Sequence, residues 1–64
     1  MKQGVKVTYV EKNGHSHVAT VEEVTGSGPS GYKVLTVSYA VGKRAFTVED
    51  VVNERDDAGK GHWT

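Results

Sequence analysis

The sequence predicts an all-β domain, a small antiparallel barrel. Short runs rich in Val, Thr and Tyr stand at Gly4–Glu11, Ser16–Thr25, Tyr32–Val41 and Arg44–Val48, each bounded by turn residues. Within the runs apolar and polar residues alternate, the period of a strand buried on one face. The alternation slips near Glu22-Glu23, where a bulge would let a short sheet curl on itself.

In the first run Val5, Val7 and Tyr9 share one face and Lys6 and Thr8 the other. Asn13-Gly14 follows, a dipeptide that tolerates positive φ and marks a hairpin. In the second run Ala19 and Val21 point inward and Val24 breaks the parity. Glu22 and Glu23 would suit a helix, but the β-branched residues on both sides favour a strand. Gly26-Ser27-Gly28-Pro29-Ser30-Gly31 reads as a mobile surface connector. It lacks a phosphate-loop pattern, a dinucleotide fingerprint and a following helix to supply a dipole.

The third run is the longest. Leu35, Val37 and Tyr39 line one face, and Val34, Thr36 and Ser38 the other. Gly42 then turns the chain into Arg44-Ala45-Phe46-Thr47-Val48. Glu49-Asp50-Val51-Val52 suits a single 3₁₀ turn that drops Val51 onto the core, with a brief closing strand around Val52-Asn53-Glu54. The expected core is Val5, Val7, Ala19, Val21, Val24, Leu35, Val37, Tyr39, Phe46, Val48 and Val51. Residues 1–55 are expected to form the barrel. Residues 56–64 would be a polar C-terminal tail held by Trp63, a residue whose large apolar surface packs on its own barrel or on a partner.

Size and composition narrow the function. Sixty-four residues make one domain at most, and a chain this short buries only about 60% of its unfolded surface. No cysteine is present, which excludes disulfides and Cys-based zinc or iron–sulfur sites. No secretory leader or apolar run of spanning length is visible, so a cytoplasmic location and no membrane partner are expected. The formal net charge of +0 argues against a non-specific nucleic-acid binder. Charge is nonetheless uneven. Lys2, Lys6 and Lys12 stand near the start, and Glu49, Asp50, Glu54, Asp56 and Asp57 near the end. Such asymmetry suits solvated surface, a few ion pairs or head-to-tail self-association.

Four strands, a longer loop after the second, and a one-turn element before a short fifth strand resemble an SH3-like barrel, a fold group with Tudor-type and KOW-type modules. The residues that carry the resemblance are "GVKVTYV", "VATVEEV", "KVLTVSY" and "FTVEDVV", roughly residues 4–54. The signalling SH3 domains differ: they carry an ALYDY-like segment absent here. A distant likeness in layout to type II dihydrofolate reductase runs through Gly4-Val5-Lys6-Val7, Ala19-Thr20-Val21, Gly31-Tyr32-Lys33-Val34 and Thr47-Val48-Glu49-Asp50-Val51. That enzyme's Val-Gln-Ile-Tyr motif is replaced by Lys43-Arg44-Ala45-Phe46, so its chemistry does not carry over. Its precedent is that a small barrel gains function by self-association.

No catalytic constellation is apparent. Ser16, Ser27, Ser30 and Ser38 lack an elbow or a sequence-defined base. Glu22 and Glu23 would point to opposite faces of a strand. His15 and His17 share a face if the strand begins at His15, but a metal needs a third ligand, so surface histidines are the expectation and no metal or cofactor is assigned. The aromatic residues are the better lead, because SH3-like barrels use exposed rings to hold cationic side chains or to stack on bases. The candidate binding residues are Tyr32, Lys33, Lys43, Arg44 and Trp63, the first four on one edge if strands three and four pair through Gly42. The expected function is a non-enzymatic binding or assembly module, of the kind found among bacterial or phage accessory proteins, with a protein partner or a second copy of itself. A weak nucleic-acid binder is the first alternative, and an oligomeric enzyme of the reductase kind the second.

Overall fold

The computed structural model describes residues 2–64. Five strands follow one another: β1 (Lys6–Val10), β2 (Ser16–Ser27), β3 (Lys33–Val41), β4 (Arg44–Asn53) and β5 (His62–Trp63). Each pairs with the next and β5 returns to β1, so the hydrogen bonds form a closed ring. Among the described residues there is no helix, and so none long and apolar enough to cross a membrane.

The ring is mixed, which corrects the purely antiparallel expectation. β4 and β5 run parallel through Val52↔His62 and Asn53↔Trp63. A parallel neighbour usually needs a long crossover. Here β5 meets only the last two residues of β4, so the short return through residues 54–61 suffices. The closing strand is therefore His62–Trp63, not Val52–Glu54, and the segment beyond residue 55 completes the ring.

The 3₁₀ turn expected at Glu49-Asp50 is a β-bulge inside β4. Val48 pairs with Val37 and Val51 with Leu35, so Glu49 and Asp50 together oppose Thr36 alone. Asp50 takes φ 55°, a left-handed conformation that Asp tolerates better than most residues. The bulge achieves what the turn was expected to do: Val51 returns to the core face at 2% exposure.

β2 serves two neighbours. Its first half pairs with β1, from Ser16↔Val10 to Thr20↔Lys6, and its second half with β3, from Thr20↔Ser38 to Ser27↔Lys33. Register shifts between Val21 and Glu23 and between Val24 and Gly26 bend it, and the first falls where the sequence parity slips.

Two hairpins share one turn design. In the first, Gly14 N–H donates to Glu11 O (2.8 Å) and Glu11 N–H to His15 O (2.7 Å). In the second, Gly31 N–H donates to Gly28 O (3.0 Å) and Gly28 N–H to Tyr32 O (2.8 Å). Gly14 and Gly31 sit at φ 93° and 89°, as a three-residue loop with a bulge requires. The expected mobile connector is thus a tight turn. β2 runs on through Ser27, and Asp56 Oδ1 holds the turn by accepting from Ser30 N–H at 2.9 Å.

The core comprises Val7, Tyr9, Ala19, Val21, Leu35, Val37, Val51 and Trp63, with Val24, Tyr39 and Val48 packed against it. Val5 and Phe46, expected inside, are each 38% exposed. Val5 precedes β1. Phe46 lies on the β3–β4 hairpin beyond Thr20↔Ser38, where β2 no longer pairs with β3 and no strand covers it.

Candidate binding site

At the end of the ring where β2 and β3 part, four aromatic side chains gather. Tyr9, His17, Tyr39 and Phe46 come from four different strands and stand at inward-facing positions. The Tyr39 ring is the hub. It stacks on His17 at 4.3 Å between centroids, on Phe46 at 5.3 Å and on Tyr9 at 5.5 Å, with interplanar angles of 16°, 21° and 27°. Offset stacks of this kind add about 0.5–1.5 kcal/mol per pair beyond area burial. They fix the rings where the β2–β3 ladder has ended.

Glu11 stands over this cluster at the start of the first hairpin turn. Its Oε2 lies 3.1 Å from His17 Nε2, the one ion-pair contact among the described residues. Two cavities flank it. One, of about 330 Å³, is lined by Glu11, His15, His17, Tyr39, Val41, Arg44 and Phe46. The other, of about 600 Å³, is more polar and is lined by Tyr9, Glu11, Lys12, Asn13 and Gly61. The first has an apolar floor of rings and Val41, with one carboxylate and one guanidinium at its rim. Burial, and then the Glu11 carboxylate, raise the Tyr9 and Tyr39 phenols above their ordinary value, so both keep their protons at neutral pH.

The residues singled out from the sequence fall into two groups. Tyr32 and Lys33 stand at the start of β3, and Lys43 and Arg44 at the turn that leaves its far end. Strands three and four do pair through Gly42, with Val41 opposite Arg44. That pairing places the two groups about 25 Å apart along nine residues of strand. Arg44 alone of the five lines the ring-floored cavity.

Trp63 and Tyr32 make a structural cluster at the other end. Trp63 is 7% exposed and packs on its own ring, where its indole N–H donates to Lys33 O at 2.8 Å. Tyr32 meets Trp63 edge to face at 6.1 Å, and the Arg55 guanidinium lies 5.6 Å from the Tyr32 ring centre. Tyr32 thus has Trp63 at one side and Arg55 over its ring, and remains exposed. Lys33 Nζ donates to Ser27 Oγ at 3.3 Å.

The local sequence pattern puts Tyr39 and Phe46 in the core and His17 on the surface, and does not by itself show the mouth they form. The signal was there in part: His17, Ala19 and Val21 share strand parity, as do Tyr39 and Val37. What was not visible is where β2 leaves β3. Among the described residues no group of three or more His, Asp or Glu side chains could hold a metal ion.

No family model, curated protein or solved structure matches this chain.

Proposed function

We propose that the chain is an SH3-like small barrel acting as a non-enzymatic binding module, with a protein as its partner. The observation that carries this reading is the ring-floored cavity at Tyr39, Phe46 and Val41, open to solvent and rimmed by both Glu11 and Arg44. A mixed-charge rim over an apolar floor suits an apolar or aromatic side chain of a partner protein, seated on the rings and flanked by polar contacts. A fold in which β2 bends to serve two neighbours and a short last strand closes the ring supports the SH3-like assignment.

A nucleic-acid reading is less well supported. The cationic pairs named from the sequence lie at opposite ends of β3, and the cavity carries a carboxylate that would face phosphate.

Minimal peptide probes test the reading. N-acetyl-phenylalaninamide and N-acetyl-leucinamide should shift the NMR signals of His17, Tyr39, Val41 and Phe46 together and saturably. A short single-stranded DNA should leave them unchanged at low salt. Shifts scattered over the surface, or DNA binding that weakens steeply with salt, would overturn it.

A further inference from the structure

The ring leaves several stretches of strand edge open, and the five residues Arg44–Val48 of β4 are the longest of them without a bulge. β4 pairs with β3 on one side along its length, but with β5 only at Val52 and Asn53. Among the described residues the other edge of Arg44–Val48 has no backbone partner. An open edge of this kind is a template for another strand. The second half of β2 is also open, but two bulges and the like charges of Glu22 and Glu23 defend it.

We propose that a second copy of this chain pairs with that edge, β4 against β4, about a two-fold axis at Phe46. The proposal rests on the reading that the chain is a binding or assembly module. Val41 and Arg44 close the two-residue turn at Gly42, whose φ of 61° suits its first position. In such a hairpin the closing pair is hydrogen-bonded, so Arg44, Phe46 and Val48 direct their backbone groups at β3. Ala45 and Thr47 direct theirs at the open edge. Antiparallel copies then bond Ala45 of each to Thr47 of the other. Phe46 faces Phe46 as the close, non-hydrogen-bonded pair.

Charge selects this partner. The edge reads Lys43-Arg44, then four uncharged residues, then Glu49-Asp50. In an antiparallel copy with Phe46 at the centre, Lys43 of each chain stands opposite Glu49 of the other. Both side chains are exposed, and neither is in an ion pair within its own chain. A parallel copy would set like charges side by side. The straight edge runs from Arg44 to Val48, and the charge pairs flank it, with Lys43 in the turn and Glu49 in the bulge. The pairing also sets Phe46 of the second copy beside the stack Tyr9–Tyr39–Phe46. The contact is small, so the dimer is concentration-dependent.

Light scattering on the full chain tests this, with circular dichroism to confirm folding. The mass should rise from 6.9 kDa toward twice that value as concentration approaches millimolar. Thr47→Pro removes an outward donor while leaving the β3 ladder intact, and should stay monomeric and folded. Lys43→Glu and Glu49→Lys should each weaken dimerisation about tenfold, and the double variant K43E/E49K should restore it. A monomer at every concentration, a dimer that survives Thr47→Pro, or a double variant no better than the singles would overturn the proposal. Probe binding by a strictly monomeric chain would sink the dimer and leave the binding-module reading standing. A dimer blind to the peptide probes would do the reverse.

Discussion

Trp63 holds the last strand in place, and its removal should take away a large share of the domain's stability. The side chain is 7% exposed, and its neighbours come from three other strands or their flanks: Tyr9 beside it on β1, Asn53 on β4, and Tyr32 before β3. A buried Trp contributes about 200 Å² of contact area. At about 25 cal/mol per Å² that is near 5 kcal/mol as an upper bound, and truncation of Trp to Ala costs about 3–5 kcal/mol in other cores. Against this, 64 residues at about 0.05–0.15 kcal/mol each support only about 3–10 kcal/mol of total stability. Trp63→Ala should therefore remove about a third or more of that stability and lower the melting temperature by at least about 12 °C. Trp63→Phe keeps most of the apolar area but orphans the Lys33 carbonyl, at a cost of about 1–3 kcal/mol. At about 4–8 °C per kcal/mol for a domain this size, it should lower the melting temperature by about 4–24 °C. Thermal melts followed by far-ultraviolet circular dichroism read both variants. A Trp63→Ala protein that melts cooperatively within about 3 °C of the parent, a loss below 1 kcal/mol, would refute the closing role of β5.

Three further outcomes follow from single residues. Asp50→Gly should leave stability unchanged or raise it by up to about 1 kcal/mol, whereas Asp50→Val should lower it by about 1–2 kcal/mol, because only the former suits φ 55°; equal urea midpoints for the two would contradict the bulge. At Gly61 an added Cβ would lie 2.5 Å from the Tyr9 hydroxyl, so Gly61→Ala should cost about 1–3 kcal/mol by the same urea assay. Tyr9 and Tyr39 hold their protons above the ordinary value near pH 10, so on raising pH the unfolded chain releases them first. The stability these two phenols contribute should be full below about pH 10 and be lost above it, less steeply in Tyr39→Phe, as melts from about pH 9 upward will show.

Much of the fold was legible in local pattern, because strand parity depends only on which residues alternate. Val7, Ala19, Val21, Leu35 and Val37 were placed in the core by parity alone and are buried. The bend in β2 announced itself through Val24. The misses share one cause: they depend on which strand lies beside which. His62-Trp63 looks like a polar tail until Val10 and Asn53 supply the neighbours that make it a strand. Gly28-Pro29-Ser30-Gly31 looks like a slack connector until Asp56 reaches the Ser30 amide from 26 residues away. Phe46 looks like core because nothing local says that β2 has already turned away from β3. The mouth is hidden in the sequence for the same reason, since each of its rings has the local pattern of buried filling or of surface.

The most direct test of the binding reading sets the two ends of the ring against each other. The peptide-probe titration is run on the parent, on Phe46→Ser and on Tyr32→Ser. Phe46 is 38% exposed and Tyr32 is 40% exposed, so both variants should stay folded. Loss of the saturable shifts in Phe46→Ser, with shifts retained in Tyr32→Ser, is the predicted result. Shifts that survive Phe46→Ser and vanish with Tyr32→Ser would place the site at the Trp63 end and contradict the assignment of the mouth.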